Sequence, residues 1–294
     1  MGRTFHVVQK GEGDPFVLLH GNASLGEEIL SAFPRTPGVR WIAPDRPGYG
    51  CSDALPNGHQ DPLSQVAWLE AFLTRMEIPR ATVVAHSLSA GPALAFAAAR
   101  PDRVKRLVHL APFCRPTPQR LMLGMRLVTA PVIGPPLRQL VVQPFARRMG
   151  QRLVQSFMAP NSIPPWLRGF PVSHAARPLA VATAGAELKC FNRGMQEIAP
   201  TLAKETPVTV VHGLSDRTAA PGWHLPWLAT RAPQLQVTLV MGCGHAVHHA
   251  APTIVLRAVL SGAVENARGA IALASICKEN PTDARPSAKD FRVA

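Results

Sequence analysis

The chain has 294 residues, 47% of them hydrophobic, and this composition is ample for a packed core, so disorder of the whole chain is excluded. A membrane span is also not expected, because the most apolar stretch, residues 121–137, is interrupted by one arginine and three prolines. The formal net charge at pH 7 is +13, and it is unevenly distributed.

Most of the excess positive charge lies in one part of the chain. Residues 114–197 contain ten Arg and one Lys against two Glu. Such a segment can contact nucleic acid, an anionic membrane surface or an anionic substrate. No helix-turn-helix or zinc-finger pattern is present and the chain has a single tyrosine, so no nucleic-acid partner is expected. A solvated arginine face is the favoured interpretation, with a weak association with anionic lipid surfaces as the alternative.

The first residues and the cysteines bear on location. The N-terminal stretch has strand-like alternation and no signal-peptide pattern, which favours a cytoplasmic protein. The five cysteines are odd in number and share no metal-like spacing, which is typical of reduced structural thiols. Oligomeric state stays open.

Taken in chain order, short apolar runs alternate with helical patterns. The predicted strands are residues 4–9, 16–20, 39–44, 81–86, 104–111, 207–213 and 234–241. The predicted helices are residues 62–77, 88–99, 222–231 and 251–264. Almost wholly apolar strands that alternate with helices indicate an α/β fold with parallel pairing and helices on both faces.

The alternation stops at Phe113 and resumes near residue 207. Twelve prolines lie between Pro112 and Pro178, and the apolar residues there fall in short helical bursts. A helical insertion within one α/β domain explains this pattern. We therefore predict a core of residues 1–113 and 203–266, a helical cap over 114–202 and a loose tail over 267–294. The Leu, Met and Phe residues of the cap, with Trp166, are compatible with an apolar acyl- or alkyl-binding cavity, but packing of the cap against the core is favoured for most of them.

Ser87 lies between a predicted buried strand and a predicted helix, in the stretch VVAHSLSAGPALAFAAARP. Small residues, Ala85 and Ser89, flank it at the positions where a tight strand-turn-helix tolerates little bulk. A serine hydroxyl becomes a useful nucleophile only with a base within reach and donors for the developing negative charge. Without such partners, Ser87 would be an ordinary packed hydroxyl.

Suitable partners follow later strands. Asp216, in GLSDRTAAP, comes directly after the strand at 207–213, and His245, in MGCGHAVHHAAP, comes after the strand at 234–241. The carboxyl ends of parallel strands meet at one edge of a sheet, so the three side chains are predicted to converge. Asp216 has a second interpretation as a turn or helix cap.

Two backbone N–H groups are candidates for an oxyanion hole. Leu88 follows the serine, and Asn22 follows the early strand in LLHGNAS. The segment DRPGYGCS, residues 45–52, is interpreted as structural, and His86 as a pocket or packing residue. No metal site is expected, because His245, His248 and His249 have no accompanying cluster of carboxylate or thiolate ligands in the sequence.

These motifs, in this order, resemble the α/β-hydrolase fold superfamily, specifically its serine-nucleophile branch; the matched pieces are HGN, DRPGYGCS, AHSLS, GLSDRTAAP and GCGH. The resemblance covers residues 1–112 and 203–266. It implies an eight-stranded, mostly parallel sheet with a helical cap inserted after the sixth strand. The chain departs from the family's usual Gly-x-Ser-x-Gly, since Ala85 and Ser89 occupy the glycine positions.

The residue at position 87 separates this chain from similar families. Haloalkane dehalogenases and epoxide hydrolases of this fold use an aspartate nucleophile, and a serine would not serve in that role. The expected function is therefore cofactor-free hydrolysis of a small or medium apolar carboxylic ester, as in carboxylesterases and lipases, with Ser87, Asp216 and His245 as catalytic residues. The alternatives are a C–C bond hydrolase, a cofactor-free haloperoxidase or perhydrolase, and a catalytically silent binding module.

Overall fold

The computed structural model describes residues 3–56, 60–118, 127–198 and 206–261. Its central feature is one seven-stranded sheet with the order β1-β3-β2-β4-β5-β6-β7. The strands are β1 Val7–Lys10, β2 Asp14–Leu19, β3 Val39–Pro44, β4 Ala81–His86, β5 Val104–Leu110, β6 Val208–Gly213 and β7 Leu235–Val240. Only β1 runs antiparallel to its neighbour β3, and the other pairs are parallel.

The family resemblance was wrong in two details. It implied eight strands, whereas the described residues form seven, the same number that the hydrophobic pattern gave directly. The cap consequently follows the fifth strand and not the sixth. Among the described strands, β1 pairs only with β3 and forms one edge of the sheet, where the resemblance implied a further strand.

Alternating side chains of the strands fill two cores, one on each face of the sheet. On β2, Val17 and Leu19 belong to one core, while Phe16 and Leu18 belong to the other. This follows from the strand geometry, in which successive side chains point to opposite faces. Both faces are covered by helices, which explains why the parallel strands are apolar at nearly every position.

The helices of the core and the cap occupy separate parts of the chain. The core helices are α1 Gly26–Ser31, α2 Ser64–Arg75, α3 Ala90–Ala99, α8 Pro221–Ala229, α9 Val247–Ala250 and α10 Pro252–Ser261. Between β5 and β6 lie the cap helices α4 Gly134–Leu137, α5 Gln143–Met158, α6 Val172–Ala175 and α7 Pro178–Glu197, with a π-helical segment, Arg138–Val142, joining α4 to α5. Helix α7, the longest of these, was not singled out from the sequence.

The strand order fixes where a ligand would bind. The chain passes from β2 to β3 on one side and then returns to place β4 on the other side of β2. In open α/β sheets, the crevice at such a reversal, outside the carboxyl ends of the strands, is the usual ligand site. Here β2 leads to Asn22 and β4 leads to Ser87, so both candidate residues border this crevice.

Some sequence predictions fall outside the described residues. These are the tail over 267–294, which includes Cys277, and residues 119–126 of the predicted helical insertion. The other four cysteines are free thiols. Within the described ranges, no helix is both long enough and apolar enough to cross a membrane.

Candidate active site

Ser87 occupies a sharp turn between β4 and α3. Its backbone lies in the left-handed region with φ of 56°, which is uncommon for a residue with a side chain and marks a strained position. Ala85 and Ser89 are fully buried on either side of it. The Ser89 hydroxyl donates to the carbonyls of Leu19 and His86, both at 2.8 Å. Ser89, which stands where the family usually has glycine, therefore ties the start of the helix to the ends of β2 and β4.

The structure brings Ser87, His245 and Asp216 into one hydrogen-bonded line. His245 Nε2 lies 2.8 Å from the Ser87 hydroxyl, and His245 Nδ1 lies 2.7 Å from Asp216 Oδ2. All three residues are buried. The three positions are thus contiguous in space, as the sequence predicts, although they are separated by up to 158 positions in the chain.

Asp216 uses both of its oxygens. Oδ1 accepts hydrogen bonds from the backbone N–H groups of Thr218 and Ala219, so the turn-capping interpretation of this residue is also true. Oδ2 accepts from His245 and, at 3.2 Å, from His212 Nε2. Burial alone would raise the pKa of Asp216, but the adjacent His245 and the hydrogen bonds outweigh it and hold the pKa well below its usual range. The carboxylate is therefore charged at neutral pH.

The loop after β2 passes directly against the serine turn. An ideal Cβ on Gly21 would lie 2.9 Å from His86 Nδ1 and 3.3 Å from Ser87 Cβ, so only glycine fits without a shift. The next residue is Asn22. Across the described part of the chain, neither the N–H of Asn22 nor that of Leu88 donates to a protein acceptor. Two free donors thus border the crevice beside Ser87.

A buried ion pair joins this loop to the cap. Arg46, from the DRPGYGCS segment, pairs with Glu187 of α7, and the two side chains are only 1% and 4% exposed. The Arg46 side chain also donates to the carbonyl of His20 at 2.8 Å. Burial would raise the pKa of Glu187, but the Arg46 guanidinium keeps it below its ordinary value, so the carboxylate stays charged.

Glu187 accepts further hydrogen bonds close to the loop after β2. Tyr49 donates its hydroxyl at 2.6 Å and Gln65 its amide at 3.0 Å. The Asn22 side-chain amide lies 3.2 Å from the Tyr49 hydroxyl, 3.2 Å from the Ala184 carbonyl and 3.4 Å from Glu187. The Asn22 side chain is therefore directed at helix α7 of the cap.

A second cap residue, Asn161, holds the loop that carries His245. Its side chain accepts from the Gly244 N–H and donates to the Gly242 carbonyl, both at 2.9 Å. His86 also supports this loop, because its Nε2 lies 3.2 Å from the His245 carbonyl. Burial and the neighbouring His248 and His245 lower the pKa of His86 well below its usual value, so the ring is neutral. His86 is a packing residue, as expected, but it packs against His245 itself.

The structure corrects one argument made against a metal site. Glu28 lies beside His248 and His249, and the ligand atoms of the three buried residues fall within 4.8 Å of one another. The Nε2 atoms of the two histidines lie 2.8 and 2.6 Å from the same carboxylate oxygen. A carboxylate partner for these histidines therefore exists, although it comes from α1, more than 200 positions away.

The proton arrangement around this cluster nevertheless favours hydrogen bonds over metal ligation. Trp166 Nε1 lies 3.2 Å from His249 Nδ1, and an indole N–H can only donate. His249 Nδ1 must then carry the lone pair, which places the ring proton on Nε2, where it is donated to Glu28. A metal ion bound at His249 Nε2 would place the ring proton on Nδ1. Two N–H donors, those of His249 Nδ1 and Trp166 Nε1, would then face each other.

Several of these residues were missed by the sequence analysis. The missed residues act through partners that are distant in the chain, and each is an ordinary polar residue in its local pattern. They are Arg46, Glu187, His212, Asn161 and Glu28. The signal available for Arg46 was its place in DRPGYGCS, and the signal for His212 was its position at the end of a buried apolar strand. Neither signal identifies the partner.

Comparisons with known proteins identify the family of the chain. The family model described as "alpha/beta hydrolase fold" matches residues 14–252. The chain is 26% identical over 275 residues to a cis-3-alkyl-4-alkyloxetan-2-one decarboxylase of Shewanella oneidensis, a match that covers 84% of this chain and 80% of the relative. It is 35% identical over 105 residues to a 2-hydroxymuconate semialdehyde hydrolase of Pseudomonas putida, covering 34% of this chain and 36% of the relative.

Solved structures share the fold. A thermophilic esterase from Thermogutta terrifontis superposes with a TM-score of 0.66 at 20% identity, covering 88% of this chain and 92% of the esterase. The family match spans most of the chain, and the described residues form the mostly parallel sheet with flanking helices that such a fold requires. The chain therefore belongs to the α/β-hydrolase fold family.

Proposed function

We propose that this protein is a serine hydrolase that cleaves a carboxylic ester through an acyl-enzyme intermediate formed on Ser87. The observation that carries the proposal is the hydrogen-bonded line from Ser87 through His245 to Asp216, with contacts of 2.8 and 2.7 Å. A serine, a base in contact with it and a group that orients the base are the parts that nucleophilic acyl transfer requires.

The charge on Asp216 determines how the proton moves. Because the carboxylate is ionised and contacts His245 Nδ1, the ring carries its proton there and presents the Nε2 lone pair to Ser87. As the serine oxygen attacks the substrate carbonyl carbon, its proton passes to Nε2, and the electron pair of the C=O bond moves to oxygen. His245 then protonates the leaving alcohol, and a water molecule, activated by the same nitrogen, hydrolyses the acyl-enzyme and regenerates Ser87.

The oxyanion that forms in both steps would be met by the N–H groups of Asn22 and Leu88. Such donors act in the transition state because the negative charge develops there, and losing one costs about 3–4 kcal/mol. The close approach of Gly21, the residue before Asn22, to the serine turn supports this role. All of these steps use groups of the chain itself, so the proposal requires no cofactor.

The substrate is proposed to be a small apolar ester. The Shewanella relative is named for a 3-alkyl-4-alkyloxetan-2-one, which is a cyclic ester carrying two alkyl chains. That name describes decarboxylation in the relative. For this chain it supports an alkyl-bearing ester carbonyl as the group that reaches Ser87.

The second candidate is hydrolysis of a C–C bond next to a carbonyl group. It is favoured by the local similarity to the semialdehyde hydrolase, although that match covers only about a third of either protein. Both candidates use the same three side chains, so the choice depends on the substrate.

The decisive experiment is labelling with a fluorophosphonate probe, followed by intact mass spectrometry. We expect one adduct on the wild-type chain and none on Ser87→Ala, with Ser64→Ala as a matched control that labels normally. An unmodified wild type, or equal labelling of Ser87→Ala, would contradict the proposal and favour a binding module. Turnover of p-nitrophenyl esters of increasing chain length, compared with a β-diketone panel, separates ester from C–C hydrolysis.

A further inference from the structure

The cap carries most of the exposed large apolar side chains of the described molecule. Nine of the twelve such residues lie between positions 127 and 179. The most exposed of them in the cap are Val132 at 81% and Leu140 at 73%, followed by Val141 and Phe145 at 55% each. The expectation that apolar cap residues pack against the core is therefore wrong for this group. Contiguous exposed apolar surface usually marks an interaction site.

These residues continue along the helix into a row of arginines. Four residues follow one another at helical spacings of four, three and four residues: Val141, Phe145, Arg148 and Arg152. They therefore share one face of α5 and the segment before it. The opposite side of α5 is buried through Ala146 and Val154. The helix thus turns an apolar surface, followed by a cationic one, away from the core.

Arg148 and Arg152 of this face, together with the neighbouring Arg147, also line a groove. A cavity of about 480 Å³ between α5 and α6 is bordered by Arg147, Arg148 and Arg152. Within the described ranges, none of these three side chains takes part in an ion pair. They remain available for an external anion.

The surrounding sequence has no negative charge to compete with such an anion. Residues 103–186 contain no aspartate and no glutamate, and the described stretch 127–186 contains six arginines. An apolar surface next to unpaired arginines, without carboxylates, is complementary to a surface that offers both acyl chains and anionic headgroups. A protein partner would more commonly present charges of both signs.

We propose that the apolar–arginine face, made of Val132, Ile133, Leu140, Val141, Phe145, Arg147, Arg148 and Arg152, docks on the surface of an anionic lipid bilayer. The apolar residues would enter the boundary between headgroups and acyl chains, and the arginines would contact lipid phosphates. The helix would lie on the membrane without crossing it. Docking is independent of the proposed ester hydrolysis, because it uses none of the residues of the candidate active site.

The test is flotation of the full-length protein with unilamellar vesicles of phosphatidylcholine alone, or of phosphatidylcholine with about 30% phosphatidylglycerol. We expect the wild type to float with the anionic vesicles and to remain behind with the neutral ones. The triple variant Arg147→Gln/Arg148→Gln/Arg152→Gln should bind about 100-fold more weakly, since each basic residue near the surface contributes about fivefold.

A matched triple variant controls for net charge. Arg35→Gln/Arg75→Gln/Arg80→Gln removes the same charge from exposed positions of the core and should bind as the wild type does. Equal losses in the two triples would show that only overall charge matters and would overturn the proposal. Failure of the wild type to bind anionic vesicles would overturn it as well.

A second pair of variants tests the apolar part. Leu140→Ser/Phe145→Ser should weaken binding at least tenfold, whereas Met241→Ser/Ile254→Ser, at exposed positions of the core, should leave it unchanged. All four side chains are exposed, so folding is preserved and is verified by circular dichroism. If the cap pair instead dissociates a self-associated form in sedimentation velocity and does not alter vesicle binding, the face binds a second copy and the lipid proposal is wrong.

Discussion

At the scale of single residues, Asp216 combines two tasks that usually fall to different side chains. One oxygen holds the turn at Thr218 and Ala219, and the other holds His245. His212 Nε2 also donates to this second oxygen, and it lies 2.7 Å from the Ala219 carbonyl oxygen. The carboxylate is thereby fixed on every side, which keeps the His245 ring in one orientation.

Replacing Asp216 by asparagine tests the orienting role. Asparagine can keep the turn through its side-chain oxygen, but its amide favours the wrong ring tautomer of His245, so kcat for ester cleavage is expected to fall about 10⁴-fold. The variant Asp102→Asn, at an exposed ion pair with Arg100, provides the control and should retain activity. A kcat within tenfold of the wild-type value for Asp216→Asn would mean that another carboxylate performs this role.

At the scale of elements, the serine turn and the loop after β2 form one unit. The Ser89 hydroxyl bonds to the last residue of β2, and Gly21 lies against His86 and Ser87. Arg46 fixes the same loop through the His20 carbonyl. The distance between the two proposed oxyanion donors is consequently set by strand pairing of β2 with β4, where Leu19 is in register with Ala85.

Gly21→Ala tests this unit. A methyl group would meet His86 Nδ1 at 2.9 Å, so the loop must retreat from Ser87 and carry the Asn22 N–H with it. We expect kcat to fall about 100-fold or more, as for the loss of one oxyanion donor, with a smaller change in KM. Gly169→Ala is the matched control, because no atom lies within 4 Å of its ideal Cβ. A normal kcat in Gly21→Ala would contradict the assignment of Asn22.

At the scale of the whole molecule, many histidines are buried and neutral. Burial lowers the pKa of His20 and of His248 to about 4 and that of His109 to about 3. In the unfolded chain each would titrate near pH 6.5. Between about pH 6.5 and 4 the unfolded chain therefore binds protons that the folded chain does not, so the free energy of unfolding decreases as the pH falls through this window.

His109 isolates this effect. It lies in β5, fully buried, and neither ring nitrogen has a hydrogen-bond partner among the described residues. Replacing it by leucine removes one group that the unfolded state protonates, so the stability of His109→Leu relative to the wild type should rise by about 2 kcal/mol from pH 7 to pH 5. Urea unfolding at the two pH values measures the difference. A relative stability that does not change with pH would show that the pKa of His109 is the same in the folded and the unfolded chain.

What the sequence predicted follows from local physics. Alternating apolar runs placed six of the seven strands within about two residues, because a strand buried on both faces has little freedom in composition. The meeting of Ser87, Asp216 and His245 followed from the rule that parallel strands share one carboxyl edge. Glu187 and Glu28 could not be placed in this way, since their partners are set by tertiary packing and not by any periodic pattern.

The cap was the least predictable part for the same reason. Helical periodicity shows that a segment is helical, but it did not identify the apolar side chains that stay exposed, such as Phe145 and Leu153 of α5. The exposure of Leu140 and Phe145 became visible only when the packing of α5 against α6 was known.

The Arg46–Glu187 pair limits how the cap can be exchanged between related enzymes. A transplanted cap that lacks an anion at the position of Glu187 would leave the Arg46 guanidinium buried without an ionic partner. This would destabilise the fold by about 3–5 kcal/mol. That is a large share of the stability of an ordinary domain. Chimeras of this scaffold should therefore retain the acidic residue of helix α7 together with the loop that holds Arg46, so that substrate preference is altered elsewhere in the lid.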